Sequence, residues 1–172
     1  LGIQGLVSRT ILRLHDLKWI YLGCILPDVP WIIQRGLKVS GLPVSGYELA
    51  LYTGVQGSLF FGLILAAATA ALAVSAGRVF LILAAGVFLH LVLDALEVKG
   101  LSSVLFFAPI SWKGVSLEWL KPESVVMLLL TVFGLIYVAW NWRRAAAERT
   151  ELDFTNLFRR VAVTGLLAAY LL

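Results

Sequence analysis

Charge is scarce in this chain. Only 14% of its 172 residues are Asp, Glu, Lys or Arg, where a soluble domain carries about 25%. Hydrophobic residues make up 60% and the mean hydropathy is +0.93. That composition excludes an ordinary water-soluble domain and predicts an integral membrane protein. Cysteine occurs once, as Cys24. One thiol can form neither an intramolecular disulfide nor a cysteine-cluster metal site, and its expected state is that of a small buried hydrophobe. The chain has no internal repeat, no low-complexity tract and no cleavable signal-peptide pattern. It opens at Leu1 rather than Met, from which a preceding piece is expected. Residues 1–172 are expected to form a single membrane domain, because the loops are too short to hold a second one.

What is present is a series of apolar runs, each near the length of about 20 residues that crosses a hydrocarbon core. They predict an all-α polytopic protein of four to five transmembrane helices, with spans at about 17–34, 55–76, 79–98 and 124–142. A shorter run, 161–172, is either a fifth span or an interfacial helix. The first span is broken at Pro27-Asp28-Val29-Pro30, since two prolines remove backbone donors and disturb the helix. Residues 1–16 mix Leu and Ile with Arg9, Arg13 and Asp16, the pattern of an amphipathic helix lying at the interface. The small-residue run 66–73 predicts a close helix contact.

The net charge of +4 arises from cations at the ends of apolar runs. They suit anionic lipid headgroups and sidedness rather than nucleic acid. Arg143, Arg144, Arg149, Arg159 and Arg160 place the segment after Trp142 on the cytoplasmic side. Threading back gives nine Lys/Arg inside and five outside. With that orientation, Asp28, Gln56, Ser58, Asp94 and Glu97 all converge in the outer leaflet, and His15 falls on the opposite side.

His90, Asp94 and Glu97 are the ionisable residues of the third run. Their offsets of four and three place them on one stripe of a helix. Such groups at bilayer depth are costly unless they meet each other, a wet cavity or a metal. Asp28, between prolines whose freed carbonyls need protein or water, is expected to face the same cavity. One imidazole with up to three carboxylates forms a hard N/O donor set suited to Zn, Mn, Fe or Mg. A metal there could activate water while a spare carboxylate served as general base. The alternative is a helix-packing His–Asp hydrogen bond with Glu97 hydrated beside Lys99, and Asp28 at a capped helix break. The aromatic loop 99–123, with Phe106, Phe107, Trp112 and Trp119, reads first as an interfacial belt and second as a lid.

Two stretches resemble a known family. Gly23-Cys24-Ile25-Leu26-Pro27-Asp28-Val29-Pro30 is similar to the G-x-x-L-P-D-I-D signature of the LexA-binding, inner-membrane-associated, metal-dependent hydrolases. Gly86 to Asp94, with His90 between, resembles that family's G-x-x-x-H-x-x-x-D helix, and Gly100 and Pro109-Ile110-Ser111-Trp112 follow as they do there. The resemblance covers about a quarter of the chain and implies Asp28, His90 and Asp94 as metal-site residues. The family's H-R-G-x-T-H-S has its best-placed counterpart in Tyr52-Thr53-Gly54-Val55-Gln56-Gly57-Ser58, which keeps the glycine and serine and lacks both histidines. Gln34-Arg35-Gly36 matches it in part, farther from the next helix.

The expectation is therefore a hydrolase embedded in a bacterial inner membrane, acting near the outer leaflet on a lipid or lipid-linked ester or phosphoester. Asp28, His90 and Asp94 would hold a divalent metal, with Glu97 as fourth ligand or catalytic base. The alternative is a non-catalytic accessory subunit of a larger membrane complex, with lipids and other subunits as partners.

Overall fold

The computed structural model describes residues 16–40, 45–98, 103–121, 123–147 and 156–171. Among them every regular element is a helix, accompanied by two isolated β-bridges. Helix α1 (Leu17–Ile25) passes through a 3-10 turn (Leu26–Asp28) into α2 (Val29–Val39). The first apolar run is thus broken where Pro27 and Pro30 withdraw backbone donors. The turn recovers part of the loss, since the amide of Val29 donates to the carbonyl of Leu26.

The second run differs from its expected form. Helix α3 (Gly46–Gln56) begins nine positions before 55, and α4 (Leu59–Ala71) leaves it at an angle of 66°. The chain bends at Gly57-Ser58 because Gly57 lies against the first break. A Cβ there would sit 3.2 Å from the Thr53 carbonyl oxygen, 3.5 Å from that of Pro27 and 3.6 Å from Trp31 Nε1. The bend exposes the amide end of α4, and the loop that follows α5 satisfies it: Leu59 N–H donates to Phe106 O at 3.2 Å.

Helix α5 (Ala76–Leu96) replaces the expected 79–98. It stops at Leu96 because the loop caps its last carbonyls. The amide of Leu117 donates to Ala95 O at 2.7 Å, and those of Trp119 and Leu120 to Leu96 O at 3.0 and 2.9 Å. Glu97 lies beyond the helix in an extended conformation, bridged to Leu120. Helices α6 (Val125–Ala147) and α7 (Leu157–Leu171) follow. Residues 1–15 and 148–155, which carry most of the interfacial helix and part of the cytoplasmic charge, lie outside the described residues.

Helices α1 and α5 run parallel, joined at three levels. Asp16 pairs with Arg78 at 2.6 Å at their starts. Gly23 meets Leu83 and Gly86 midway, and Asp28 meets His90 at the far end. The middle level permits the other two. A Cβ on Gly23 would lie 2.5 Å from Leu83 O, and one on Gly86 2.8 Å from Ile20 O. Backbone faces backbone there, as small residues allow.

Helix α4 returns antiparallel to α5, with Gly62 under Val87. Ala66, Ala68, Ala70 and Ala73 of the small-residue run are buried, and Cys24 is buried as expected of a small hydrophobe.

Helix α7 lies along α4, held at both ends. Arg159 donates to the carbonyls of Ala73 and Val74, while Gln56 Nε2 donates to Tyr170 O at 2.6 Å and Tyr52 O–H to Leu171 O. Arg159→Ala is expected to free the first of these ends. Losing charge-assisted bonds of this kind costs about 1.5–3 kcal/mol, and the check is faster hydrogen exchange in the first turns of α7 with α5 unaltered.

Among the described residues one helix, Ala76–Leu96, is long and apolar enough to cross a membrane by itself; the bent pair α3–α4 qualifies when taken as one span.

Candidate functional site

The two breaks and the end of α5 enclose a cavity of about 430 Å³. Pro27, Asp28, Trp31, Ile32 and Arg35 form one wall, Gly54 and Gly57 the second, Leu91 and Asp94 the third, and 103–105 the fourth. The carboxylates of Asp28 and Asp94 both belong to this lining, and His90 stands between them. Its Nε2 lies 3.5 Å from Asp28 Oδ1 and 3.6 Å from Asp94 Oδ2. The side chains of Asp28 and Asp94 are 50% and 30% exposed, that of His90 only 16%. The acids therefore face the cavity and the imidazole backs them.

This geometry follows from the helix offsets. Asp28 lies five positions after Gly23, and His90 four positions after Gly86. Where two parallel helices touch at their glycines, residues about one turn further along each come face to face. Asp94, four positions after His90, adds a second carboxylate on the same face. Three of the four expected site residues are thus brought together.

Glu97 is not part of this group. Its expected place on the stripe requires α5 to continue past Leu96, and the capping amides of 117–120 end the helix first. It is absent from the cavity lining.

The fourth wall is anchored from below. Ser58, fully buried, donates its hydroxyl to Ala108 O at 3.0 Å, and Phe106 packs edge-on against Phe88. The aromatic loop therefore divides its roles. Phe106 belongs to the core, whereas Phe107, Trp112 and Trp119 are exposed. Ser58→Ala leaves the Ala108 carbonyl without that donor, an expected loss of about 1–3 kcal/mol; thermal unfolding in detergent measures it.

Arg35 also lines the cavity. It stands outside the four expected site residues, although Gln34-Arg35-Gly36 is the partial match to H-R-G; seven residues after Asp28, it lies two helical turns along α2 on the face that carries Trp31 and Ile32.

Among the described residues no group of three or more His, Cys, Asp or Glu side chains forms a ready metal cluster. The spacing around His90 is nonetheless informative. Both N···O separations exceed the usual hydrogen-bond range of about 2.7–3.2 Å. Two donors on one ion, each about 2.0–2.2 Å from it, stand about 3.0–3.6 Å apart at common coordination angles. One nitrogen and two carboxylate oxygens near one another are a hard donor set, the chemistry that divalent ions prefer.

The chain matches no protein-family model, no curated protein and no solved structure.

Proposed function

We propose that this protein is a membrane-embedded, metal-dependent hydrolase whose site is the cavity between the two helix breaks. The observation that carries the reading is the pair of carboxylates, Asp28 and Asp94, set 3.5 and 3.6 Å from His90 Nε2 on the wall of an open cavity. Asp28, His90 and Asp94 would hold a divalent ion such as Zn, Mn, Fe or Mg, which would supply Lewis-acid polarisation of a substrate bond. The protein's own part is positional. The Gly23–Gly86 crossing holds Asp28 against His90, the break at Gly57 opens room beside Asp28, and 103–105 screen the site from one side. Glu97 is a base for this chemistry only if α5 lengthens beyond Leu96.

Embedding in a membrane with four to five spans belongs to the same proposal. It is supported by Ala76–Leu96, by the bent pair α3–α4 and by α6, whose Val125, Leu128, Val132, Phe133, Leu135 and Ile136 are exposed. That apolar surface suits lipid tails. The parallel pair α1 and α5, antiparallel α4 and α7 laid against α4 agree with alternating spans in which the site lies toward the outer leaflet. A bacterial inner membrane is the expected location, and the resemblance to the LexA-binding, inner-membrane-associated hydrolases supports the assignment of Asp28, His90 and Asp94.

A second reading has its own observation. Helix α6 touches the rest of the described fold chiefly through α1 and offers a long apolar face, as a subunit of a larger membrane complex would. The deciding experiment is turnover by the purified protein on umbelliferyl esters and phosphoesters, with Zn, Mn, Fe or Mg added. Metal-dependent hydrolysis supports the enzyme; none with any metal, together with co-purification in a defined complex, supports the subunit.

A further inference from the structure

A cation placed in a cavity with two carboxylates would ordinarily pair with them. Arg35 shares the lining with Asp28 and Asp94, yet among the described residues it forms no ion pair with either. Its guanidinium presents a planar fork of donors that matches a phosphate or carboxylate group bidentately. The carboxylates repel an anion from their own wall, so an anionic group entering the cavity is directed to the Arg35 side. A neutral or polarised bond of the same molecule is left beside Asp28 and Asp94.

The rest of the lining defines what else the ligand carries. Trp31, Ile32 and Leu105 contribute apolar surface, and Trp31 and Ile32 are also exposed toward solvent on α2. A volume of about 430 Å³ is in the range of about 300–1,000 Å³ typical of small-molecule sites. It admits a headgroup and leaves an alkyl chain to lie along the exposed apolar rim.

We infer that the cavity binds an amphiphile with a phosphate-type anionic head, the head gripped by Arg35 and the chain lying over Trp31, Ile32 and Leu105. As the substrate class of the proposed hydrolase this rests on that reading; as a binding site it stands apart from it, and the test separates the two.

The full chain in dodecyl maltoside is titrated calorimetrically with monooctyl phosphate, inorganic phosphate, octanol and octyltrimethylammonium. The expected result is saturable binding of octyl phosphate at least tenfold tighter than of the other three. Arg35→Ala is expected to weaken octyl phosphate at least tenfold and to leave octanol unaltered. Arg35→Lys, which keeps the charge without the fork, is expected to lie between. Arg35 is exposed, so neither variant should disturb folding, and an unchanged thermal transition checks this. Equal binding by wild type and Arg35→Ala overturns the inference, as does octanol or octyltrimethylammonium binding as tightly as octyl phosphate. Inorganic phosphate binding as tightly overturns the amphiphile in favour of a free anion. Arg35-dependent binding without turnover on any substrate leaves this inference standing and removes the hydrolase.

Discussion

Gly86→Ala is expected to destabilise the fold by about 3 kcal/mol or more, at the upper end of overpacking effects. The added Cβ would meet Ile20 O at 2.8 Å and Cys24 N and Gly23 C at 3.0 Å. All three are backbone atoms, which no rotamer change can move aside. Gly23→Ala should behave alike, since its Cβ would lie 2.5 Å from Leu83 O and 2.9 Å from Leu83 Cα. The helices must separate to admit either methyl group. Separation at that level also withdraws Asp28 from His90 one turn beyond, so both variants should lose ligand binding as well as stability. Gly36→Ala is the matched control. Nothing lies within 4 Å of its Cβ position inside α2, and removing a glycine from a helix interior gains about 0.5–1 kcal/mol. Unfolding in mixed micelles should therefore show opposite signs at Gly86 and Gly36. Equal, small effects would mean that the close crossing does not organise the site.

The second large effect concerns chemistry without stability. His90→Ala, Asp28→Asn and Asp94→Asn should each reduce turnover by more than the about 10–100-fold that outer partners of a metal site cost. Their unfolding transitions should stay nearly unchanged. Asp28 and Asp94 are 50% and 30% exposed at the cavity, so solvent hydrates whatever the imidazole leaves behind, and such partly exposed pairs contribute about 0–1 kcal/mol. A purely structural role for the His90 contacts predicts the reverse pattern: lost stability with no activity to lose.

The parts of this arrangement differ in how far the sequence reveals them. The break at Pro27-Asp28-Val29-Pro30 is local chemistry, because proline acts on its own turn wherever it stands. The meeting of Asp28 with His90 is legible from spacing and membrane cost together. The spans' limits are less so. Nothing local in 55–76 announces a bend at Gly57, where the chain packs against the Pro27 carbonyl and Trp31 of the first break. Glu97 shows the opposite limit. Its spacing from Asp94 is helical, but the amides of Leu117, Trp119 and Leu120 cap the helix one residue earlier, and they arrive from 20 or more positions along the chain. Arg35 belongs only in part with these tertiary facts: Gln34-Arg35-Gly36 matches a family motif in part, and the course of α2 after the break brings Arg35 to the cavity.

Gly23 and Gly86 open the two matching stretches, and they are the residues at which those stretches touch. The two histidines that the resemblance lacks fall at Tyr52, which donates to Leu171 O at the end of α7, and at Gly57, which lines the cavity beside Pro27 and Trp31. The metal reading therefore stands on Asp28, His90 and Asp94 alone.

Metal content of the purified protein tests that reading most directly, measured by elemental analysis for wild type, His90→Ala and Asp94→Asn after loading with each candidate ion and desalting. The account predicts about one divalent ion per chain in the wild type, lost in both variants, with all three proteins equally folded. Wild type without metal, or variants that retain it in full, would contradict the site.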